Sequence, residues 1–293
     1  SNTATIRWNT DGPQEVTVSY INPVTGCDPE IATVFDVFVF PKPVPTIAGA
    51  TSVCVGSTGN VYTTESGMTN YQWIVSAGGT ITAGGGTGDD FVSVDWNTTG
   101  AKTVKVNYEN ANGCSATSAT TKNITVNALP TPLIVGTASV CLGSAVTYST
   151  VSGMSNYQWN ISSGGSIVSG GGVSDHQVTV TWNNTGTESV SLNYNNTNGC
   201  SAAVPTNYAV TVNDLPSPTI SGPADACKGG TPAVYTTEPG MTAYVWSVTG
   251  GTITAGGSAN DNTATVVWNT AGAQSVRVNY YDSNNCSALV PFE

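Results

Sequence analysis

Apolar and polar residues alternate with a period of two through much of the chain. In FVSVDW (91–96), Val92, Val94 and Trp96 alternate with Ser93 and Asp95. In TVKVNY (103–108), Val104, Val106 and Tyr108 alternate with Lys105 and Asn107. That is the pattern of a half-buried strand. It returns as VTVTW (178–182), VSLNY (190–194) and VRVNY (276–280). Paired strands are joined by W-N-x-x-G (Trp96 to Gly100, Trp182 to Gly186, Trp268 to Gly272), where Asn and Gly supply a turn. No window carries a helical period with caps. Over residues 43–129 the pattern predicts strand A at 45–54, B at 60–65, C at 70–76, a short strand at 79–83, E at 91–96, F at 102–109 and G at 116–126. About seven short strands with frequent turns describe an immunoglobulin-like sandwich. Tyr71 and Trp73 of strand C then share one face, with Trp73 as a large core residue.

The same phrases recur at a fixed spacing. GMTNYQWIVSAGGTITAGG (67–85) returns as GMSNYQWNISSGGSIVSGG (153–171) and GMTAYVWSVTGGTITAGG (240–257). Trp73, Trp159 and Trp246 lie 86 and 87 residues apart, and Trp8, Trp96, Trp182 and Trp268 lie 88, 86 and 86 apart. All seven Cys and all three Met share this lattice. A period of this length exceeds that of solenoid units and matches a self-contained domain. Proline-rich stretches recur at one phase, PKPVP (41–45), LPTP (129–132) and LPSP (215–218). Proline stiffens the chain and forbids strand pairing there, so these are short linkers. The expected organisation is the C-terminal part of a repeat (1–42), complete repeats at 43–129 and 130–215, and a repeat lacking its last strand (216–293). The fold class is all-β, a tandem of immunoglobulin-like sandwiches on proline-containing linkers. Trp73, Trp96, Trp159, Trp182, Trp246 and Trp268 are its expected core.

Composition narrows the function. Hydrophobic residues make up 39%, enough for packed cores, while charged residues make up only 9%, against roughly 25% in an average globular chain. The net charge is −11, with 7 Lys and Arg. So few cations cannot make the phosphate contacts that drive nucleic-acid binding, nor a polybasic face for anionic lipid. No apolar run is long enough for a membrane-spanning helix, so no direct membrane insertion is expected. No signal peptide is visible; residue 1 falls inside a repeat, so secretion of the parent protein is left open.

The ordered set SVCVGS, YQW, GGTI, VDWN and NGCS, repeated as SVCLGS, YQW, GGSI, VTWN and NGCS, resembles the PKD-like, immunoglobulin-like repeats of very large Bacteroidetes surface proteins. The gliding-motility adhesins of flavobacteria are examples. The resemblance covers the whole chain. It implies type IX secretion, an extracellular place on the bacterial cell surface, and a stalk or adhesin role.

Cysteines at a fixed phase imply an oxidising compartment. A metal role is poorly supported, with one His and no CxxC. Pairing within a repeat would give Cys54–Cys114, Cys141–Cys200 and Cys227–Cys286. Yet Cys54 sits at the A–B end and Cys114 after the F–G turn. A strand of seven residues would hold them roughly 23 Å apart, while a disulfide needs Cα atoms about 4.4–6.8 Å apart. Pairing across joints, Cys54–Cys200 and Cys141–Cys286, is therefore favoured slightly, leaving Cys27, Cys114 and Cys227 without partners. A shifted strand A would reverse this choice.

Other candidates are weak. Asp90, Asp175 and Asp261, in GDD, SDH and NDN, are calcium candidates, because Ca²⁺ wants several oxygen ligands. Each loop offers only one or two carboxylates, and a solvated loop is the simpler reading; no cofactor is expected. His176 has no counterpart in other repeats and reads as surface. Tyr71, Tyr157 and Tyr244 read as core, with an aromatic sugar-binding face as the alternative. The sequons at Asn97, Asn123 and Asn183 matter only in a eukaryotic secretory route. No convergent polar constellation argues for an enzyme. The expected function is a structural or adhesive stalk segment whose partners are neighbouring repeats. The alternative is a polysaccharide-binding or spacer module of a secreted multidomain protein.

Overall fold

The structure is a computed structural model that describes residues 2–293; Ser1, the first residue of segment 1–42, lies outside them. Every regular element among the described residues is a strand, and no helix there is long and apolar enough to cross a membrane. The chain forms two compact units, divided after Leu129.

The first unit opens with a hairpin of β1 (Gly12–Val18) and β2 (Thr33–Val39). A sandwich follows, built from β3 (Ser52–Cys54), β4 (Asn60–Thr63), β5 (Thr69–Val75), β6 (Gly79–Gly84), β7 (Phe91–Trp96), β8 (Gly100–Glu109) and β9 (Thr120–Asn127). One sheet has the order β3-β9-β8-β5 and the other β4-β7-β6. The second unit repeats this plan. Its first sandwich holds β10 (Ser139–Cys141), β11 (Ala145–Ser149), β12 (Ser155–Ile161), β13 (Gly165–Gly170), β14 (Gln177–Trp182), β15 (Gly186–Asn195) and β16 (Thr206–Asn213), ordered β10-β16-β15-β12 and β11-β14-β13. The last sandwich holds β17 (Ala233–Thr236), β18 (Thr242–Thr249), β19 (Gly251–Gly256), β20 (Thr263–Trp268) and β21 (Ser275–Tyr281), ordered β17-β20-β19 and β18-β21.

Strand A is the element that differs most from expectation. Only Ser52–Cys54 forms a strand, running parallel to β9. Upstream, Ala48 bridges Thr63 in the other sheet. The segment switches sheets, so one continuous strand over 45–54 cannot form. The remaining strands lie within a few residues of their expected places.

Each sandwich has its own apolar core. All six expected tryptophans are buried, as are Tyr71, Tyr157 and Tyr244. These three tyrosines therefore form no sugar-binding face. Their rings meet Tyr108, Tyr194 and Tyr280 edge-on at 5.7 Å. Their hydroxyls donate to the carbonyls of Glu65, Val151 and Glu238 and accept from the amides of Met68, Met154 and Met241. The buried phenol thus pins the bend before strand C. Asn70, Asn156 and Ala243 at that bend have positive φ, beside a register shift in the ladder.

Candidate functional site

Two motifs carry the cysteines, and each is a rigid local structure. In SVC-x-G-S, β10 pairs with the end of β16, bringing Cys141 opposite Asn213. The Asn213 amide group donates to Ser139 Oγ at 2.9 Å and to the Val140 carbonyl at 3.1 Å. Gly143, with φ +79°, turns the chain so that its amide donates to the Trp182 carbonyl. Cys141 is thereby fixed to the core tryptophan strand at the pole where β16 ends.

The second motif sits at the opposite pole, where the turn leads into β9, β16 or the chain end. Asp282 Oδ1 accepts from the amides of Asn284 and Cys286, both at 2.9 Å. Asn196 does the same for Asn198 and Cys200, and Asn110 for Asn112 and Cys114. The left-handed residue of the turn is Gly113, Gly199 or Asn285. Sequence reading found NGCS but missed the Asn or Asp four residues before each Cys, although its recurrence at one phase was visible.

Cys141 is bonded to Cys286, with Cα atoms 5.6 Å apart and a sequence separation of 145. The bridge joins a cysteine of segment 130–215 to one of segment 216–293. Cys54 and Cys200 are also disulfide-bonded. Cys27, Cys114 and Cys227 are free thiols. The within-repeat alternative, Cys54–Cys114, Cys141–Cys200 and Cys227–Cys286, is thereby excluded. The reason is the length of the strand between the poles: Thr120–Asn127 spans 8 residues, or about 26 Å, far beyond disulfide reach.

The aspartates act on their own turns. Asp175 Oδ2 accepts from the Gly172 amide at 2.9 Å, and Asp261 Oδ2 from the Ser258 amide at 3.0 Å. Hydrogen bonds from the Ser258 hydroxyl and amide hold the Asp261 carboxyl below its ordinary value. The equivalent in the first sandwich is Asp89, bonded to the Gly86 amide at 2.9 Å, not Asp90. The Asp89, Asp175 and Asp261 carbonyls accept from the indoles of Trp73, Trp159 and Trp246, each at 2.9 Å. Among the described residues no group of three or more His, Cys, Asp and Glu comes together to hold a metal. His176 is exposed, and its carbonyl accepts from the Thr150 amide.

A further polar site went unread in the sequence. Glu65 accepts from the Thr46 hydroxyl at 2.6 Å, the Thr46 amide, the Thr64 hydroxyl at 2.7 Å and the Tyr108 hydroxyl at 3.0 Å. Glu238 repeats this with Thr219, Thr237 and Tyr280. Burial works against ionisation of Glu65 and Glu238, but the hydrogen bonds outweigh it and hold both carboxyls down to about 2. Burial first, then the bonded carboxylate, pushes Tyr108 and Tyr280 up to about 12. Between them, residues 130–215 carry Leu133 and Val151 at the phase of Thr46 and Glu65. The two partners change together, which was the signal available in the sequence.

The family comparison decides the assignment. Three consecutive stretches, 40–126, 126–210 and 214–291, match the PKD-like domain. The chain belongs to the PKD-like domain family. Its fold is a tandem of immunoglobulin-like, PKD-like sandwiches on short proline-containing linkers. No curated protein matches the sequence. Solved structures with similarity include invasin, a bacterial integrin-binding protein, at 16% identity over 95% of this chain and 64% of that one, with a TM-score of 0.37. Domains 4 and 5 of the S-layer protein SbsC match at 14% identity over 58% of this chain and 98% of that one, with a TM-score of 0.27. The fibronectin(III)-like modules of Clostridium thermocellum CbhA match at 11% identity over 58% of this chain and 95% of that one, with a TM-score of 0.30. At these scores the likenesses carry no argument about what the PKD-like repeats bind.

Proposed function

We propose that this array of PKD-like repeats is a force-transmitting segment of an extracellular stalk on a bacterial cell surface, in an adhesin or filament of the kind that serves attachment or gliding in Bacteroidetes exported by type IX secretion. The observation that carries the reading is the Cys141–Cys286 bridge between successive repeats. Tension entering at Pro130 reaches Cys141, crosses the sulfurs to Cys286 and leaves along the last residues. The 144 residues between them lie outside the force path. Pulling can then unfold neither sandwich by extension through that loop. Identical beads add length, and a bridge of this kind makes the length inextensible. The bridges fit an oxidising, extracytoplasmic place. The principal partners in this reading are the neighbouring repeats. Contact with surface polysaccharide would need an exposed aromatic row at one phase, and the repeated tyrosines are buried.

Single-molecule stretching of the intact chain tests this. In the variant Cys54→Ser with Cys200→Ser, reduction of Cys141–Cys286 is expected to release about 500 Å of extra contour length, at roughly 3.4 Å for each of the 145 residues spanned. An oxidised chain that already yields this length would sink the proposal, as would tryptic mapping without reduction that fails to link Cys141 to Cys286.

A further inference from the structure

The sandwich of residues 43–129 blunts most of its sheet edges. β3 is only 3 residues long and lies parallel to β9. β4 is flanked by Ala48, which bridges Thr63. β6 is broken by a register shift between Ile81 and Ala83. Short strands, covering segments and bulges are the means by which sheets avoid edge-to-edge pairing. β5 is the remaining edge, at the end of the order β3-β9-β8-β5. Its register shift lies between Thr69 and Gln72, and it runs regularly from Gln72 to Val75.

The direction of the backbone groups along this stretch follows from its neighbours. The Ser76 amide donates to the Thr103 carbonyl. Alternation then puts Ile74 opposite Lys105, and Gln72 opposite Asn107, in hydrogen-bonded pairs. The N–H and C=O groups of Trp73 and Val75 point the other way, to the open edge. The Tyr71 amide points there too, and donates to the Thr87 carbonyl. Among the described residues no strand lies on that side of β5. Ile74 is 57% exposed beside it. No charged residue occurs from 66 to 88, in a chain of net charge −11, although a charged side chain is a common guard of a bare edge.

We propose that this edge of β5 pairs with the same edge of a second copy of the chain, antiparallel, with Ile74 facing Ile74 across a two-fold axis. The spacing of the free groups selects the occupant. Trp73 and Val75 lie two residues apart, so an antiparallel copy sets Trp73 of each chain against Val75 of the other. Each such pair exchanges both hydrogen bonds. A self-complementary patch of this kind generates a two-fold dimer by strand addition. The uncharged stretch lets two anionic chains meet there without like-charge repulsion. The contact is small and therefore weak. β12 and β18 share the backbone plan but carry Asn160 and Ser247 at the phase of Ile74, so the apolar pair singles out β5. This lateral contact does not depend on the stalk reading.

Ile74→Cys tests it, in a chain whose free Cys27, Cys114 and Cys227 are Ser. The two residues at position 74 would have Cα atoms about 4.5 Å apart, within disulfide reach. Gln72→Cys is the control, because its two copies would lie about 13 Å apart along the strands. Under a mild oxidant the Ile74→Cys chain is expected to form disulfide-linked dimers about 10-fold faster than the control, through the raised effective concentration in the docked pair. Equal rates would overturn the proposal. Hydrogen exchange gives a second readout on the unaltered chain. The Trp73 and Val75 amides should exchange several-fold more slowly at millimolar than at micromolar chain. Ile74→Lys should remove that dependence with the far-UV spectrum retained, since the core cluster does not include Ile74. Exchange that is independent of concentration, or slowing that survives the lysine, would equally overturn it.

Discussion

Gly79 shows why the double glycine recurs. A Cβ there would lie 2.6 Å from both the Trp96 ring and the Val75 side chain. Gly165 and Gly251 meet the equivalent Trp182 and Trp268 rings at 2.8 and 3.1 Å. The indole occupies the space a side chain would need. Gly79→Ala is expected to cost about 1–3 kcal/mol by overpacking, read as a lower denaturant midpoint for residues 43–129. Glu65 makes a second residue-scale prediction. Its folded carboxyl, at about 2, lies below the ordinary 4.5. Its stabilisation is complete above about pH 4.5 and lost as pH falls toward 2. Tyr108, at about 12 against 10.0, contributes below pH 10 and loses that contribution as pH rises toward 12. Glu65→Gln should cost about 1 kcal/mol, since the site is partly solvated, and flatten the acid limb of a stability–pH curve. Val151→Ala, at the same phase in the next repeat, should leave its acid limb unchanged.

At the scale of elements, the start of strand C is the informative place. Asn70 and Asn156 adopt φ +53°, which Asn tolerates, but Ala243 is held at φ +47°. The left-handed region costs a residue with a Cβ roughly 1–2 kcal/mol. Ala243→Gly or Ala243→Asn should therefore raise the thermal midpoint of the last sandwich, measured by calorimetry. No change would mean that the Tyr244 hydroxyl, bonded to the Met241 amide at 3.0 Å, does not enforce this bend. Strand A belongs to the same scale. Its alternation reads as one strand, and the switch between sheets at Ala48 is set by which neighbour the backbone finds.

At the scale of the whole molecule, the bridge distribution governs mechanics. Cys141→Ser with Cys286→Ser should cost about 2–4 kcal/mol. In equilibrium unfolding it should also separate the transitions of residues 130–215 and 216–293. A single shared transition in the variant would mean that packing alone couples them.

Period-two alternation, the 86–87-residue lattice and the paired tryptophans determined the all-β repeats from sequence alone, because burial of one sheet face imposes a local pattern that needs no knowledge of neighbours. The six tryptophans and the turn cysteines were legible for the same reason. What tertiary structure alone decided was every feature that depends on two distant segments meeting. These are the parallel pairing of Ser52–Cys54 with β9, the Glu65 and Glu238 clasps, and the turn role of Asp89 rather than Asp90. Such contacts join residues that no periodicity relates, and only the path of the folded chain brings them together.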